Sequence, residues 1–178
     1  MNFNKVLIVY DSGFGSTEDI ARVIATELSR LGVQVECQNA ENARAPLDGE
    51  AVIVGSPIRY DRWLPTVRQY VTRHQTILSQ IPVAYFYTCL SLVQGASNPI
   101  DDKQVYDDTL LSVNTQVKPI MVAGFPGTLK LEVMPWYYRF PLKWIAKSKG
   151  VSEGDYRDWA MIKRWAHHFV HYVSRSVT

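Results

Sequence analysis

Short apolar segments recur along the chain, and each ends at a turn rich in glycine or polar residues. Five of them have the length of strands, and most have the continuous, β-branched apolar character of strands buried in a parallel sheet. The predicted strands are Lys5–Tyr10, Val33–Gln38, Ala51–Gly55, Val83–Thr88 and Pro119–Gly124. We therefore expect a sheet that is covered on both faces.

Helical spacing of apolar residues marks two segments between these strands and one after the last strand. The first predicted helix, Thr17–Leu31, is followed by Gly32, a residue typical of helix ends. A second, Leu64–His74, begins with Pro65 in its first turn, and a third covers Asp158–Ser174. Strands that alternate with helices predict the α/β class, with a doubly wound five-stranded parallel sheet and helices on both faces.

The length of 178 residues favours one domain over 1–178, with a long insertion around residues 91–118. Two distant cysteines, Cys37 and Cys89, suggest neither a disulfide framework nor a zinc site. The first residues lack the layout of a secretion signal, and no apolar run reaches the roughly 20 residues of a membrane span. We therefore expect a cytoplasmic protein.

The turn after the first strand has the composition of an anion-binding loop. It combines two glycines with three hydroxyl side chains and leads into a helix, whose first N–H groups attract negative charge. Its residues are Ser12, Gly13, Phe14, Gly15, Ser16 and Thr17. The loop contains no lysine or arginine, so we expect neutral dipoles alone to hold a phosphate here.

Three nucleotide patterns can be compared with this loop. The Walker A pattern fails, because Gly15 is followed by Ser16 and not by lysine, and the dinucleotide pattern lacks its third glycine at Glu18. The pattern Ser/Thr-x-Thr-Gly-x-Thr of flavodoxins resembles the loop at Ser12, Gly15 and Thr17, which favours the phosphate of FMN. A simple turn with Thr17 as the helix cap remains the alternative.

Two further loops are expected at the carboxyl ends of the strands, where doubly wound sheets bind ligands. We predict that a flavin ring contacts residues from both loops, namely Ser56, Pro57, Ile58, Arg59 and Tyr60, and Thr88, Cys89, Leu90 and Ser91. Tyr60 and Trp63 could stack on the ring or cover the sheet edge. Arg59 beside the ring would tune its potential, and Cys89 could equally be a buried apolar residue.

Three segments resemble a known family. Tyr10–Ala21, Val54–Tyr60 and Trp136–Lys147 are similar to flavodoxin-domain proteins, in particular to the short menaquinone-dependent protoporphyrinogen dehydrogenase type. The resemblance implies a flavodoxin-like fold, FMN, and electron transfer from a porphyrinogen to a quinone in heme biosynthesis. It names no catalytic side chain.

Charge separates the possible functions. The insertion carries Asp101, Asp102, Asp107 and Asp108, which would repel the carboxylates of a porphyrinogen. The net charge of +2 argues against an electron carrier of the flavodoxin type, since such carriers are strongly acidic. An FMN-binding domain that acts through a partner protein is a third possibility.

Residues 136–149 are rich in aromatic and basic side chains. Trp136, Phe140 and Trp144 recur at helical spacing beside Lys143 and Lys147, a composition that suits peripheral contact of residues 136–149 with the inner face of a membrane. The alternative is a helix packed on the sheet with its lysines in water, shortened by Pro141. His167 and His171 share a helix face without a further ligand, so we expect no metal site; nothing suggests nucleic acid.

Overall fold

The computed structural model describes residues 4–93, 107–108, 116–133, 135–148 and 151–176. The strands are β1 (Lys5–Tyr10), β2 (Gln34–Asn39), β3 (Ala51–Arg59), β4 (Arg62–Trp63), β5 (Val83–Thr88), β6 (Met121–Phe125), β7 (Thr128–Leu129) and β8 (Gly154–Asp155). The helices are α1 (Ser16–Arg30), α2 (Pro65–Arg73), α3 (Gln75–Leu78), α4 (Trp136–Ser148) and α5 (Trp159–Ser176). Most of the predicted insertion lies outside the described residues.

The central strands are parallel and follow the order β2-β1-β3-β5-β6. From β1 the chain proceeds to β2 on one side and then to β3, β5 and β6 on the other, so the strand order reverses between β1 and β3. This is the doubly wound arrangement, with its switch point between those two strands. The predicted α/β class and five-stranded parallel sheet are therefore confirmed. Strand β4 adds a short antiparallel hairpin to the end of β3.

Alternate residues of each central strand enter two separate cores. On β1, Val6, Ile8 and Tyr10 pack with α1 and α5 on one face. Leu7 and Val9 pack with α2 on the other face. Because both faces are covered by helices, the carboxyl edge of the sheet is the place where its loops reach solvent together.

Strand β3 is longer than the apolar pattern predicts. It was expected to end at Gly55, but its ladder with β5 continues through Ser56 and Pro57, so part of the expected loop is strand. Tyr60 and Asp61 then form a two-residue turn with φ of 49° and 58°. Such a turn is normally signalled by Asn-Gly, and the absence of that signal hid the hairpin.

Other boundaries shift slightly. The last parallel strand runs from Met121 to Phe125 and not from Pro119 to Gly124, and the second predicted helix ends at Arg73 before the short α3. Helix α4 continues to Ser148, although Pro141 removes one backbone donor. Strand β3 therefore continues past Pro57, and helix α4 continues past Pro141, although proline disfavours both positions.

A buried ion pair closes the segment between β2 and β3. The Arg44 guanidinium donates to both carboxylate oxygens of Glu50, at 2.9 and 2.7 Å, and the Leu47 N–H donates to the same carboxylate. Burial raises the pKa of Glu50, but these hydrogen bonds outweigh it and hold the pKa below its usual range. The ionised carboxylate is therefore the form that the folded protein stabilises.

We expect Glu50→Gln to lower the free energy of unfolding at pH 7 by roughly 2 kcal/mol, the value of hydrogen bonds to a charged group. Because the folded pKa is depressed, this contribution is present above about pH 4.3, the unfolded pKa, and is lost as pH falls through the folded pKa. Urea unfolding from pH 7 to pH 3 measures both effects. Glu18→Gln, in an exposed pair with Arg22, is the control and should cost about 0.5 kcal/mol or less. An equal cost for both variants would contradict the assignment.

Candidate functional site

The loop after β1 leads into α1 through Gly15, which has a φ of 88° and supplies no side-chain cap. Thr17 lies one residue inside the helix, and its buried hydroxyl is 2.8 Å from the Thr88 hydroxyl. The alternative of Thr17 as the helix cap is therefore wrong, because its side chain bonds to the end of β5. Helix α1 begins with amide groups that have no partner within the helix.

The three loop hydroxyls are in different states. Ser16 Oγ accepts the Thr128 N–H at 3.2 Å, and Thr17 is bonded to Thr88. Ser12 Oγ is buried and has no hydrogen-bond partner within the part of the chain that the structure describes. A buried hydroxyl without a partner is costly, so Ser12 is suited to a ligand that supplies one.

Asp11 stands directly before this loop. Its carboxylate accepts the Ser12 N–H at 2.6 Å and the Thr66 hydroxyl proton from α2. Thr66 was not among the predicted site residues, since its position on a helix gave no signal. These bonds hold the carboxylate in place, and they fix the start of the loop against α2.

Arg59, the last residue of β3, extends its side chain from the hairpin of β3 and β4 to the loop. A Cβ atom on Gly13 would meet its guanidinium nitrogen at 1.9 Å, and its guanidinium carbon is 4.5 Å from the centre of the Phe14 ring. A positive charge therefore lies against the loop, beside the neutral dipoles that the sequence predicts there. The positive charge comes from a distant part of the sequence, which the loop itself could not reveal.

The aromatic residues of the hairpin take different positions. Tyr60 is at the tip and is 90% exposed, so its ring is available to a ligand. Trp63 is only 2% exposed and packs edge-on against Tyr85, at 4.8 Å between ring centres. Of the two alternatives for Trp63, stacking on a flavin is excluded, because β4 turns the side chain into the core.

The remaining predicted residues line the ends of β3 and β5. Ser56 is buried, and its hydroxyl accepts the Leu64 N–H and donates to the Pro57 carbonyl, both at 3.0 Å. Pro57 and Ile58 are half-buried. Beyond β5, Cys89 packs against the core on the α2 face, and a short 3-10 turn contains Leu90 and Ser91.

Comparison with known proteins gives the family. Residues 7–154 match the family described as "Flavodoxin domain". The chain belongs to the flavodoxin domain family. Protoporphyrinogen IX dehydrogenase [quinone] of Escherichia coli K12 is 28% identical, over 96% of this chain and 97% of the relative. The Leishmania major protein of the same name is also 28% identical, over 93% and 74%.

Among solved structures, oxidised flavodoxin 1 from Bacillus cereus has a TM-score of 0.57 and 15% identity. It covers 95% of this chain and 99% of the flavodoxin. At this identity the similarity concerns the fold alone. The resemblance that the three sequence segments indicated is confirmed, and membership of the flavodoxin domain family implies a flavin cofactor.

The loop of this flavodoxin domain fits a flavin phosphate. Three groups lie at the loop, namely the unpartnered Ser12 hydroxyl, the first amides of α1 after Gly15, and the guanidinium of Arg59. All three favour an anion that accepts hydrogen bonds.

Residues after β6 complete the loop, and sequence reasoning missed them. A Cβ on Gly127 would lie 3.3 Å from Ser16 Oγ, and the Thr128 N–H donates to that oxygen. The last strand was predicted to end at Gly124, so the adjoining Pro126-Gly127-Thr128 turn received no role. A glycine and a hydroxyl residue directly after a buried strand are typical of a ligand-binding turn, and this pattern could have indicated the site.

Other candidate features of the flavodoxin domain can be placed. His167 Nε2 is 3.6 Å from Glu27 Oε2, so this histidine faces α1. Within the described ranges, no three His, Cys, Asp or Glu side chains are grouped as a metal site requires. No helix in those ranges has both the length and the apolar character needed to cross a membrane. Burial raises the pKa of Cys37 to about 11, so its thiol is neutral near pH 7.

A pair of serine substitutions tests the state of the loop without added flavin. We expect Ser12→Ala to leave the free energy of unfolding unchanged or to raise it by up to about 1 kcal/mol, because it removes an unsatisfied buried hydroxyl. Ser56→Ala removes a hydroxyl with two partners and should cost about 1–2 kcal/mol. Urea unfolding of the flavin-free protein measures both. A loss at Ser12 as large as that at Ser56 would show that the Ser12 hydroxyl is already satisfied.

Proposed function

We propose that this protein is an FMN-dependent dehydrogenase that takes electrons from a porphyrinogen and passes them to a quinone. The unpartnered Ser12 hydroxyl, in a loop faced by Arg59, is the observation that carries the FMN assignment. The names of the relatives, which match almost the full length of the chain, support the porphyrinogen and the quinone.

The residues that would hold FMN come from three loops at one edge of the sheet. Ser12–Thr17 would surround the phosphate, with Thr88 behind it. The hairpin residues Pro57, Ile58 and Tyr60 would contact one side of the ring, and the segment from Cys89 to Ser91 the other. When bound, FMN supplies the redox chemistry, and the protein supplies position and electrostatics.

Each turnover removes two electrons and two protons from the porphyrinogen and adds them to the quinone. The exposed Tyr60 ring borders the place where both reactants would approach, so the two would use this face in turn. The bond between the Thr17 and Thr88 hydroxyls would keep the loops in a fixed relation during this exchange. No described side chain is assigned to proton transfer.

An electron carrier is the second candidate, since the chain shares its fold with a flavodoxin over nearly the whole length of both. Its net charge of +2 offers no acidic surface excess to steer it towards a basic reductase. An FMN-binding domain that works through a partner protein is a third candidate. Activity assays on the purified chain separate all three.

We expect the purified protein to bind FMN with a shifted visible spectrum and quenched fluorescence. Under anaerobic conditions, protoporphyrinogen should be converted to porphyrin only when both FMN and menadione are present. Ser12→Ala should weaken FMN binding about tenfold or more, as for a lost hydrogen bond to a charged group, and excess FMN should restore its turnover. Unshifted flavin bands would refute FMN binding.

The same experiment distinguishes the alternatives. A carrier would bind FMN, show two separate one-electron steps in a reductive titration, and fail to turn over porphyrinogen. Bound FMN without turnover and without such steps would favour action through a partner protein. Turnover that is independent of a quinone would contradict the proposed acceptor.

We further propose that α4 contacts an anionic membrane surface, where a quinone would be available. Trp136, Phe140 and Trp144 are 74%, 77% and 74% exposed, and Lys143 and Lys147 are exposed beside them. Helix α4 contains no acidic residue. Exposed large aromatics with lysines are the composition of helices that lie in a membrane interface.

Sedimentation with lipid vesicles tests this contact. We expect the protein to bind vesicles that contain phosphatidylserine more strongly than pure phosphatidylcholine vesicles, because the lysines attract anionic headgroups. The combined change Trp136→Ser, Phe140→Ser and Trp144→Ser should lower binding by about fivefold or more. Leu47→Ser, at another exposed apolar residue, is the control. Unchanged vesicle binding would refute the proposal, and a dimer lost in the triple variant would show that a second copy covers the helix.

A further inference from the structure

We propose that Arg59 recognises the phosphate charge of the cofactor, so that the hairpin of β3 and β4 makes the site selective for FMN over riboflavin. This inference rests on the proposed FMN site. It assigns to Arg59 a binding role at the phosphate, in place of the tuning of the ring that its position in the sequence suggested.

The contacts of Arg59 place its charge at the loop. The guanidinium fills the space that a Cβ on Gly13 would occupy, with distances of 1.9 Å to a terminal nitrogen and 2.6 Å to its carbon. It also lies over the Phe14 ring. Any residue larger than glycine at position 13 would displace it, so the backbone and the guanidinium fit one another closely.

The Phe14 ring lies between the Arg59 guanidinium and the protein interior, and it holds the guanidinium in this position. It packs against a small apolar cluster that contains Val93, Leu129, Leu131 and Val151. The attraction between a guanidinium and the face of an aromatic ring holds the charge in place without using its N–H groups. Those groups can then donate to an anion that sits on the loop, in the two-point geometry that suits phosphate.

The hairpin fixes Arg59 from its other end. Pro57 pairs with Thr88 in the sheet, and the Tyr60–Asp61 turn returns the chain so that Arg59 pairs with Arg62. These two pairings fix the backbone from which the Arg59 side chain reaches Gly13.

A cation at the loop would offset the negative charge of the neighbouring Asp11 carboxylate when a phosphate binds. Asp11 precedes the loop and carries a negative charge that disfavours a second anion nearby. Its carboxylate is bonded to the Ser12 N–H and to Thr66, and Glu18 pairs with Arg22 on the outer side of α1. Arg59 is the basic side chain that the described contacts place directly against Gly13 and Phe14.

The decisive measurement compares FMN with riboflavin, which lacks only the phosphate. Fluorescence quenching gives the dissociation constant of each flavin for the protein and its variants at two salt concentrations. We expect Arg59→Gln to weaken FMN binding about tenfold to a hundredfold, the range of a hydrogen bond to a charged group. Riboflavin binding should change by less than about threefold, and FMN binding should lose part of its salt dependence.

Two further variants control for charge and folding. Arg62→Gln makes the same change on the same hairpin and should leave both flavins within about threefold of the original protein. Arg59→Lys keeps the charge but loses the two-point geometry, so it should recover part of the FMN affinity. Circular dichroism of each flavin-free variant shows whether the fold is intact.

The possible results are distinct. Equal weakening of FMN and riboflavin by Arg59→Gln would place Arg59 at the ring and overturn the proposal. Tighter FMN binding would also overturn it, since Arg59 would then be blocking the loop. An original protein that binds neither flavin would instead refute the proposed function on which this inference rests.

Discussion

A buried hydrogen bond between the Thr17 and Thr88 hydroxyls connects the two halves of the ligand edge. Thr17 belongs to the first turn of α1, whereas Thr88 is the last residue of β5. Because β3 lies between β1 and β5, this bond spans the sheet at its switch point. The loops after β1, β3 and β5 therefore keep fixed positions relative to one another, and the loop chemistry depends on that geometry.

Much of the fold follows from the sequence, because buried parallel strands need continuous apolar residues. The segments Lys5–Tyr10, Ala51–Gly55 and Val83–Thr88 have that property, and the helices between them have clear apolar spacing. The hairpin after Gly55 did not follow, since neither Pro57 in a strand nor Tyr60-Asp61 in a left-handed turn matches local preferences. There the ladder with β5 overrides the preferences of single residues.

The candidate site was predictable in outline but not in its charge. Glycines and hydroxyls between a strand and a helix indicated an anion loop from composition alone. Which hydroxyls are already bonded depends on Thr88 and Thr128, which are distant in sequence. The position of Arg59 depends on how far β3 extends, and the burial of Trp63 depends on the same hairpin. Contacts of this kind require the tertiary fold.

The unpartnered Ser12 hydroxyl also affects the amount of protein that a cell would hold. A ligand that binds only the folded chain raises its stability by mass action, and the gain grows with the ratio of free ligand to dissociation constant. Here the Ser12 hydroxyl is costly to bury without a partner, so a ligand that bonds to it binds more tightly and stabilises the fold more at a given concentration. Chains made during a shortage of cofactor would unfold more often and be degraded sooner. The abundance of this protein would then follow the supply of flavin without any dedicated regulator.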